Sequence, residues 1–299
     1  MILSLGEILL LGCDGQLGRS FVARFSEQTE EYLCHSVSGN YYLGNDLLYA
    51  LANKNSPQVI INAAAYTNVD LAEKEPEKAL AVNFDGVAHL AELAKKYDLL
   101  LVHFSSDYVF DGSGALPWNE DDVPSPLNIY GKSKWLGEQA IIASGCRHLI
   151  IRTSWLHSPW RKNFIKTMLQ LGHVNTELVV VCDQVGAPTS TVMLAEMALL
   201  ATKQVVANPA LAGIYHVTAS GTVSWFEYAR FIFNEAKRLG LISRVPDLIP
   251  VTSVDYPSLV SRPLNSRLNS THFCQTFGVQ LPDWREGVLD TLRLLQEDM

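Results

Sequence analysis

The sequence lacks the spacings by which cysteine and histidine hold metals or disulfides. Its five cysteines, Cys13, Cys34, Cys146, Cys182 and Cys274, are scattered, with no C-x-x-C and no paired histidines. Three of them sit in or beside apolar strand-like runs, which reads as small buried hydrophobes in a reducing compartment. Basic charge is also short: 23 Lys and Arg stand against 31 Asp and Glu, a net charge of −8. That balance argues against a nucleic-acid or anionic-membrane surface. An anionic ligand then needs a local cluster, for which Arg161/Lys162 and Arg262/Arg267 are the candidates. The apolar start, residues 1–11, is too short to span a bilayer, carries Glu7 and has no basic beginning. It reads as neither signal peptide nor membrane span, and the expected location is cytoplasmic. Repeats, low-complexity runs and linkers are absent as well.

What is present is apolar material in an ordered alternation. With 48% hydrophobic residues in 299, the chain has room for one large α/β domain or a large and a small one. Apolar runs at 7–11, 32–37, 59–65, 99–105 and 147–155 read as strands. Between them, 19–25, 74–97 (starting near Pro76) and 129–143 carry helical spacing. At least five such alternations with short connections predict a doubly wound parallel sheet of the Rossmann type. Farther on, helices are expected at 163–171, 191–202 and 225–239 and from Trp284, and strand-like runs at 178–182 and 213–217. The stretch 246–263 is Pro-rich and reads as irregular. The division expected is a dinucleotide-binding domain over 1–155, rejoined in part by 178–217, and a smaller substrate domain formed mainly by 156–299.

Three stretches carry chemistry. Gly12-Cys13-Asp14-Gly15-Gln16-Leu17-Gly18 lies between a strand and a helix, where glycines permit a tight turn and close approach to a pyrophosphate. The competing reading is a turn glycine followed by two helix-packing glycines. Residues 35–40, after the second strand, show neither the acid that binds a ribose nor the base that accepts the phosphate of NADP. Asn62-Ala63-Ala64-Ala65 ends the third strand in small residues, against which a cofactor can lie or which serve packing alone. The strand 99–104 ends on Ser105 and Ser106, and Tyr130 and Lys134 open a helix four residues apart, so phenol and ammonium share a face. A lysine there lowers the phenol pKa and suits it to proton transfer, with a nearby hydroxyl holding a carbonyl oxygen. Tyr-x-x-x-Lys alone is a weak signal; its setting gives it weight. Trp155, in Arg152-Thr153-Ser154-Trp155, stands at the carboxyl-end crevice as core or as a ligand platform.

With these residues in hand, the chain resembles the extended short-chain dehydrogenase/reductase superfamily and, within it, the dTDP-4-dehydrorhamnose reductase family. Asp183 to Thr189 and Ser261-Arg262-Pro263-Leu264-Asn265-Ser266-Arg267-Leu268 match as well. The resemblance implies reduction, with NADPH or NADH, of the 4-keto group of dTDP-4-dehydro-L-rhamnose. It implies Tyr130 as proton donor, Lys134 on the nicotinamide ribose, and Ser106 on the reacting oxygen. Cofactor contacts carry over to Gly12, Gly15, Gln16, Leu17, Gly18, Ala65, Tyr66, Thr67 and Phe104, besides Tyr130 and Lys134. Substrate contacts carry over to Ser106, Asp107 and Trp155, with Asn163 and Arg262 for the diphosphate. Some members are described with Mg²⁺ and a dimer held by glutamates; here those positions read as Ser20 and Val192, so no metal is expected. The expected state is monomer or homodimer, without nucleic acid or membrane. Two other readings share the fold and the Tyr/Lys pair. One is a nucleotide-sugar epimerase or dehydratase, though Asp107-Tyr108 stands where a dehydratase has Asp-Glu. The other is a regulatory protein like the β subunit of methionine adenosyltransferase.

Overall fold

The structure, a computed structural model, describes residues 8–27, 34–37, 57–256, 258 and 260–297. Strand β1 (Ile8–Leu11) turns into helix α1 (Gln16–Glu27), and β2 (Cys34–Val37) and β3 (Val59–Asn62) flank β1 on either side. Helices α2 (Val69–Lys74), α3 (Pro76–Leu80) and α4 (Gly86–Lys96) cross to β4 (Leu100–Ser106), and α5 (Ile129–Ser144) leads to β5 (His148–Thr153). There follow β6 (Leu156–His157), α6 (Phe164–Val174), β7 (Glu177–Val181), β8 (Val185–Gly186), β9 (Thr189–Ser190), α7 (Thr191–Ala207) and β10 (Gly213–His216). The chain ends with β11 (Val223–Ser224), α8 (Trp225–Arg238), β12 (Asp247–Val251), α9 (Thr271–Phe277) and α10 (Trp284–Glu297).

Six strands form one parallel sheet in the order β10-β5-β4-β3-β1-β2. From β1 the chain goes first to one side and then to the other, which opens a crevice beyond the carboxyl ends of β1 and β3. The strands are apolar runs because both faces are covered. Ile8, Leu10, Val59, Ile61, Leu100, Val102, Leu149 and Ile151 pack toward α1 and α7. Leu9, Leu11, Ile60, Leu101 and Ile150 pack toward α4 and α5. Each such side chain is fully buried, worth about 1.5–3 kcal/mol apiece. A third cluster joins α6, α8 and α10 around Tyr228, Phe233 and Trp284. Among the described residues no helix is long and apolar enough to cross a membrane.

The sheet and its helices fall where the alternation places them, with three differences. The crossover read as one helix over 74–97 starts earlier, at Val69, where Asn68 accepts from the Leu71 N–H. It is then interrupted by a π turn over Ala81–Asp85. That turn aims the Asn83 amide at the Tyr66 backbone, accepting from its N–H at 2.9 Å and donating to its carbonyl at 3.0 Å. Inside the Pro-rich stretch lies strand β12, which pairs in parallel with β7 in a two-stranded sheet and so holds Pro250 without breaking a central ladder. Residues 271–277, unassigned from the sequence, form α9, closed by Gly278 in the left-handed region.

Candidate active site

The glycine turn is shaped by what cannot fit in it. Gly12 sits at φ +79°, and a Cβ there would lie 2.7 Å from the backbone of Ala64 at the exit of β3. At Gly18 a Cβ would come within 2.0 Å of the Gly12 carbonyl. Only glycine satisfies both positions, so the loop between them closes tightly (Gly15 N–H to Gly12 O, 3.0 Å) and delivers the first turn of α1 to the crevice. Gln16 and Leu17 open that helix, whose first N–H groups suit a phosphate. Of the next segment, Ala65 and Tyr66 are half-buried and Thr67 exposed, and Asn83 pins Tyr66 by its backbone. Residues 38–40, which bear on cofactor choice, lie outside the described residues.

One strand over, β4 ends on Ser106, buried with Asp107. Asn128 caps α5 through its Oδ1, which accepts from the Gly131 N–H at 2.8 Å, and the first turn carries Tyr130 and, four residues on, Lys134. The Tyr130 phenol lies within hydrogen-bonding reach of Ser106. Ser106 Oγ in turn donates to Asp107 Oδ1 at 2.7 Å and accepts from the Tyr108 N–H at 3.1 Å. Burial pushes the Asp107 carboxyl up to about 6 against the hydrogen bonds from Ser266 and Ser106. The Lys134 ammonium, 1% exposed, donates to the Phe104 carbonyl at 2.6 Å, and burial lowers it to about 8 against the charge of Glu138. Phe104 therefore offers the site its backbone, since its ring packs on Phe21 in the core.

One expectation is corrected. The phenol of Tyr130 is not lowered by Lys134: burial pushes it up to about 12, the Ser106 contact lowering and the Asp107 charge raising it. Desolvation decides the shift, and the Lys134 ammonium is turned to a carbonyl in the strand. Tyr130 is a protonated phenol at neutral pH, a state fit to give a proton.

A cavity of about 1030 Å³ lies farther out; Ser106, Tyr130 and Lys134 do not line it, and Arg262 on its wall connects it to them through Tyr108. Phe164, Trp225 and Tyr256 give it aromatic walls, and Asp70 and Arg262 stand at its edge. Arg262 pairs with Asp70 at 2.7 Å and reaches Tyr108, whose ring meets Tyr130 edge-on at 5.6 Å. Trp155, held at φ +48°, does not line the cavity: it stacks on Trp225 at 3.6 Å and fills the space a Cβ at Gly186 would need. Asn163 lies at the other end, its amide on Gln16 Oε1 and the Ser158 carbonyl, and so braces the glycine turn. Ser20, in α1, donates to Thr191 Oγ1 at 2.8 Å. Trp225, Phe164 and Tyr256 were given no site role by the sequence. Trp225 was only the first residue of the helix expected over 225–239.

Two buried hydroxyls at the carboxyl ends of β4 and β5, Ser105 Oγ and Thr153 Oγ1, have no hydrogen-bond partner among the described residues. The register sets them on opposite faces of the sheet, and it is the glycine cradle that fits the phosphates of a dinucleotide. This is the architecture of the extended short-chain dehydrogenase/reductases, Rossmann-type enzymes that work with a nicotinamide dinucleotide. More narrowly, the chain belongs to the family described as RmlD substrate binding domain, whose model matches residues 6–297. It is 40% identical over 286 residues to dTDP-4-dehydrorhamnose reductase of Escherichia coli (strain K12), covering 94% of this chain and 95% of that one. Against the enzyme of the same name from Salmonella typhimurium (strain LT2) the identity is 44%, with the same coverage. A crystal structure of dTDP-4-dehydrorhamnose reductase from Bacillus anthracis in complex with NADP superimposes with a TM-score of 0.86 at 32% identity, covering 97% of this chain and 99% of that one. These three relatives carry the reductase name, and none of them carries that of an epimerase or a regulatory subunit.

Proposed function

We propose that this chain reduces the 4-keto group of dTDP-4-dehydro-L-rhamnose to give dTDP-L-rhamnose, using NADPH or NADH. The observation that carries the reading is the head of α5, which sets Tyr130 against Ser106 and anchors Lys134 on the Phe104 carbonyl at 2.6 Å. In this reading Gly12, Gly15, Gln16, Leu17 and Gly18 hold the pyrophosphate, Ala65, Tyr66, Thr67 and the Phe104 carbonyl border the rest of the cofactor, and the bound nicotinamide supplies hydride. Ser106 orients the sugar carbonyl oxygen, releasing Asp107 to do so. Tyr130 gives that oxygen its proton as charge builds on it, and the Lys134 charge steadies the phenolate left behind. Arg262 at the cavity edge meets the diphosphate, Trp225 faces the nucleotide sugar, and Trp155 supports Trp225 from behind. The cofactor part comprises the six-stranded sheet with its helices and the substrate part the third hydrophobic cluster, an organisation supported by the return of β10 to the sheet. A cytoplasmic enzyme, monomer or homodimer, with no nucleic-acid or membrane partner completes the reading.

The test is oxidation of NADPH and of NADH, followed by loss of the reduced-nicotinamide absorbance. The 4-keto sugar is generated in situ from dTDP-glucose by the dehydratase and epimerase that precede this step. Oxidation that requires both upstream enzymes is expected; a folded protein that binds cofactor yet oxidises neither form rejects the activity. Gly18→Ala adds a check on the cradle. Its Cβ meets the Gly12 carbonyl at 2.0 Å, so the turn must open, and overpacking of about 1–3 kcal/mol predicts roughly tenfold to hundredfold weaker cofactor binding. Unchanged affinity in a fluorescence titration would place the cofactor elsewhere.

A further inference from the structure

We infer that His103 is a positioning residue for Lys134, its ring locked by Asn62 so that an N–H, and not a lone pair, faces the lysine nitrogen. The strand register makes Asn62 of β3 and His103 of β4 direct partners, both wholly buried on the face toward α5. The orientation of the Asn62 amide is set by its other end, where Oδ1 accepts the Ala64 N–H at 3.2 Å. A flipped amide would put two donors together there. Its Nδ2 therefore faces His103 Nδ1 at 3.1 Å, and Nδ1 accepts. Burial and the nearby Lys134 charge hold the imidazole well below its usual pKa, so the ring is neutral and its single proton sits on Nε2.

Nε2 lies 3.4 Å from Lys134 Nζ. An ammonium offers only donors, so in that form Lys134 meets the ring donor to donor, whereas the neutral amine has a lone pair to accept the N–H. The lock thus tilts Lys134 toward the amine, and the Phe104 carbonyl, accepting at 2.6 Å, tilts it back. The other groups around Lys134 are Glu138 and Tyr130 on its own helix, Arg152 from β5, which pairs with Glu138 through two hydrogen bonds, and Asp107 beyond Ser106. Lys134 is thus the ammonium at neutral pH, where it steadies the phenolate of Tyr130, and the lock makes it give up that charge at a lower pH than a lysine in water. That consequence rests on the roles given to Tyr130 and Lys134 above; the tautomer does not.

The test begins with ring-¹⁵N NMR of the histidines in the full chain. A neutral His103 protonated on Nε2 is expected across about pH 5–9, with His103→Gln identifying its signals among the eight histidines. Asn62→Asp replaces the donor by an acceptor, which moves the ring proton to Nδ1 and turns the Nε2 lone pair to Lys134. The alkaline limb of kcat then moves upward by about one pH unit, a tenfold change in the protonation equilibrium. Asn62→Ala, which frees the ring without adding a charge, moves the limb the same way by less. A wild-type ring protonated on Nδ1 or charged at neutral pH overturns the inference, as does a limb that stays in place in a variant whose tautomer has switched. An inactive enzyme with the Nε2–H ring would support the lock and count against the reductase reading alone.

Discussion

Replacing Tyr130 with phenylalanine removes most of the turnover and leaves cofactor affinity unchanged. The ring of the variant still meets Tyr108 edge-on, as the native ring does at 5.6 Å, so packing at the head of α5 is kept. What goes is a single hydroxyl, the proton donor to the sugar oxygen, and a positioned general acid is worth about a hundredfold to ten-thousandfold in rate. Because burial holds the native phenol up at about 12, it stays protonated through neutral pH. The alkaline fall in wild-type activity should therefore track Lys134, lowered to about 8, as it loses the charge that steadies the phenolate. Steady-state rates of reduced-nicotinamide oxidation give the first quantity and fluorescence titration the second. A variant retaining more than a few per cent of native turnover would remove Tyr130 from the acid's role, and a loss of cofactor affinity as large as the loss of rate would make it a binding residue instead.

The parallel sheet was readable because strands covered on both faces are uninterrupted apolar runs, and the short helices between them show amphipathic spacing. That Ser106, Tyr130 and Lys134 come together was readable for a local reason: a strand ending in hydroxyls, and two residues one helical turn apart. What was hidden depends on partners distant in sequence. His103 is a lone polar residue in an apolar strand, and its role appears only when the register sets Asn62 beside it. Trp155 read as standing at the crevice, but Trp225 covers it, and no local pattern joins a Trp at a left-handed backbone position to a residue at the head of a distant helix. Asn163 read as a substrate contact, whereas its side chain closes on Gln16 across most of the cofactor part. Strand β12 was masked by Pro250, which forbids a central strand and permits an edge one. The lowering of the Tyr130 pKa failed because spacing reports that two side chains share a face, and not where the ammonium points.

Arg152→Ala is the substitution expected to cost the fold most. The guanidinium is 3% exposed and grips a Glu138 that is wholly buried, Nε to Oε1 at 3.0 Å and Nη2 to Oε2 at 2.7 Å. Its remaining nitrogen donates to the Glu120 carbonyl at 3.2 Å and approaches His216 Nε2, while the plane lies over Phe110. This one side chain thereby joins β5, α5 and the loop that runs from β4 to α5. Truncating it strands an anion in the interior, a loss of about 3–5 kcal/mol, against a total stability of about 5–15 kcal/mol for a folded domain. The urea midpoint should fall accordingly. The double variant Glu138→Met, Arg152→Met removes both charges and refills the space, so it should lie nearer to wild type than either single change. If the double variant were the least stable of the three, the pair would be a net source of stability and not a fixture whose cost appears only when it is half removed. The distinction bears on the site as well, because Glu138 stands one turn past Lys134 and supplies the charge that raises its pKa. In the double variant Lys134 loses that support, so its ammonium weakens and the alkaline limb of activity should move to lower pH even where the fold is intact.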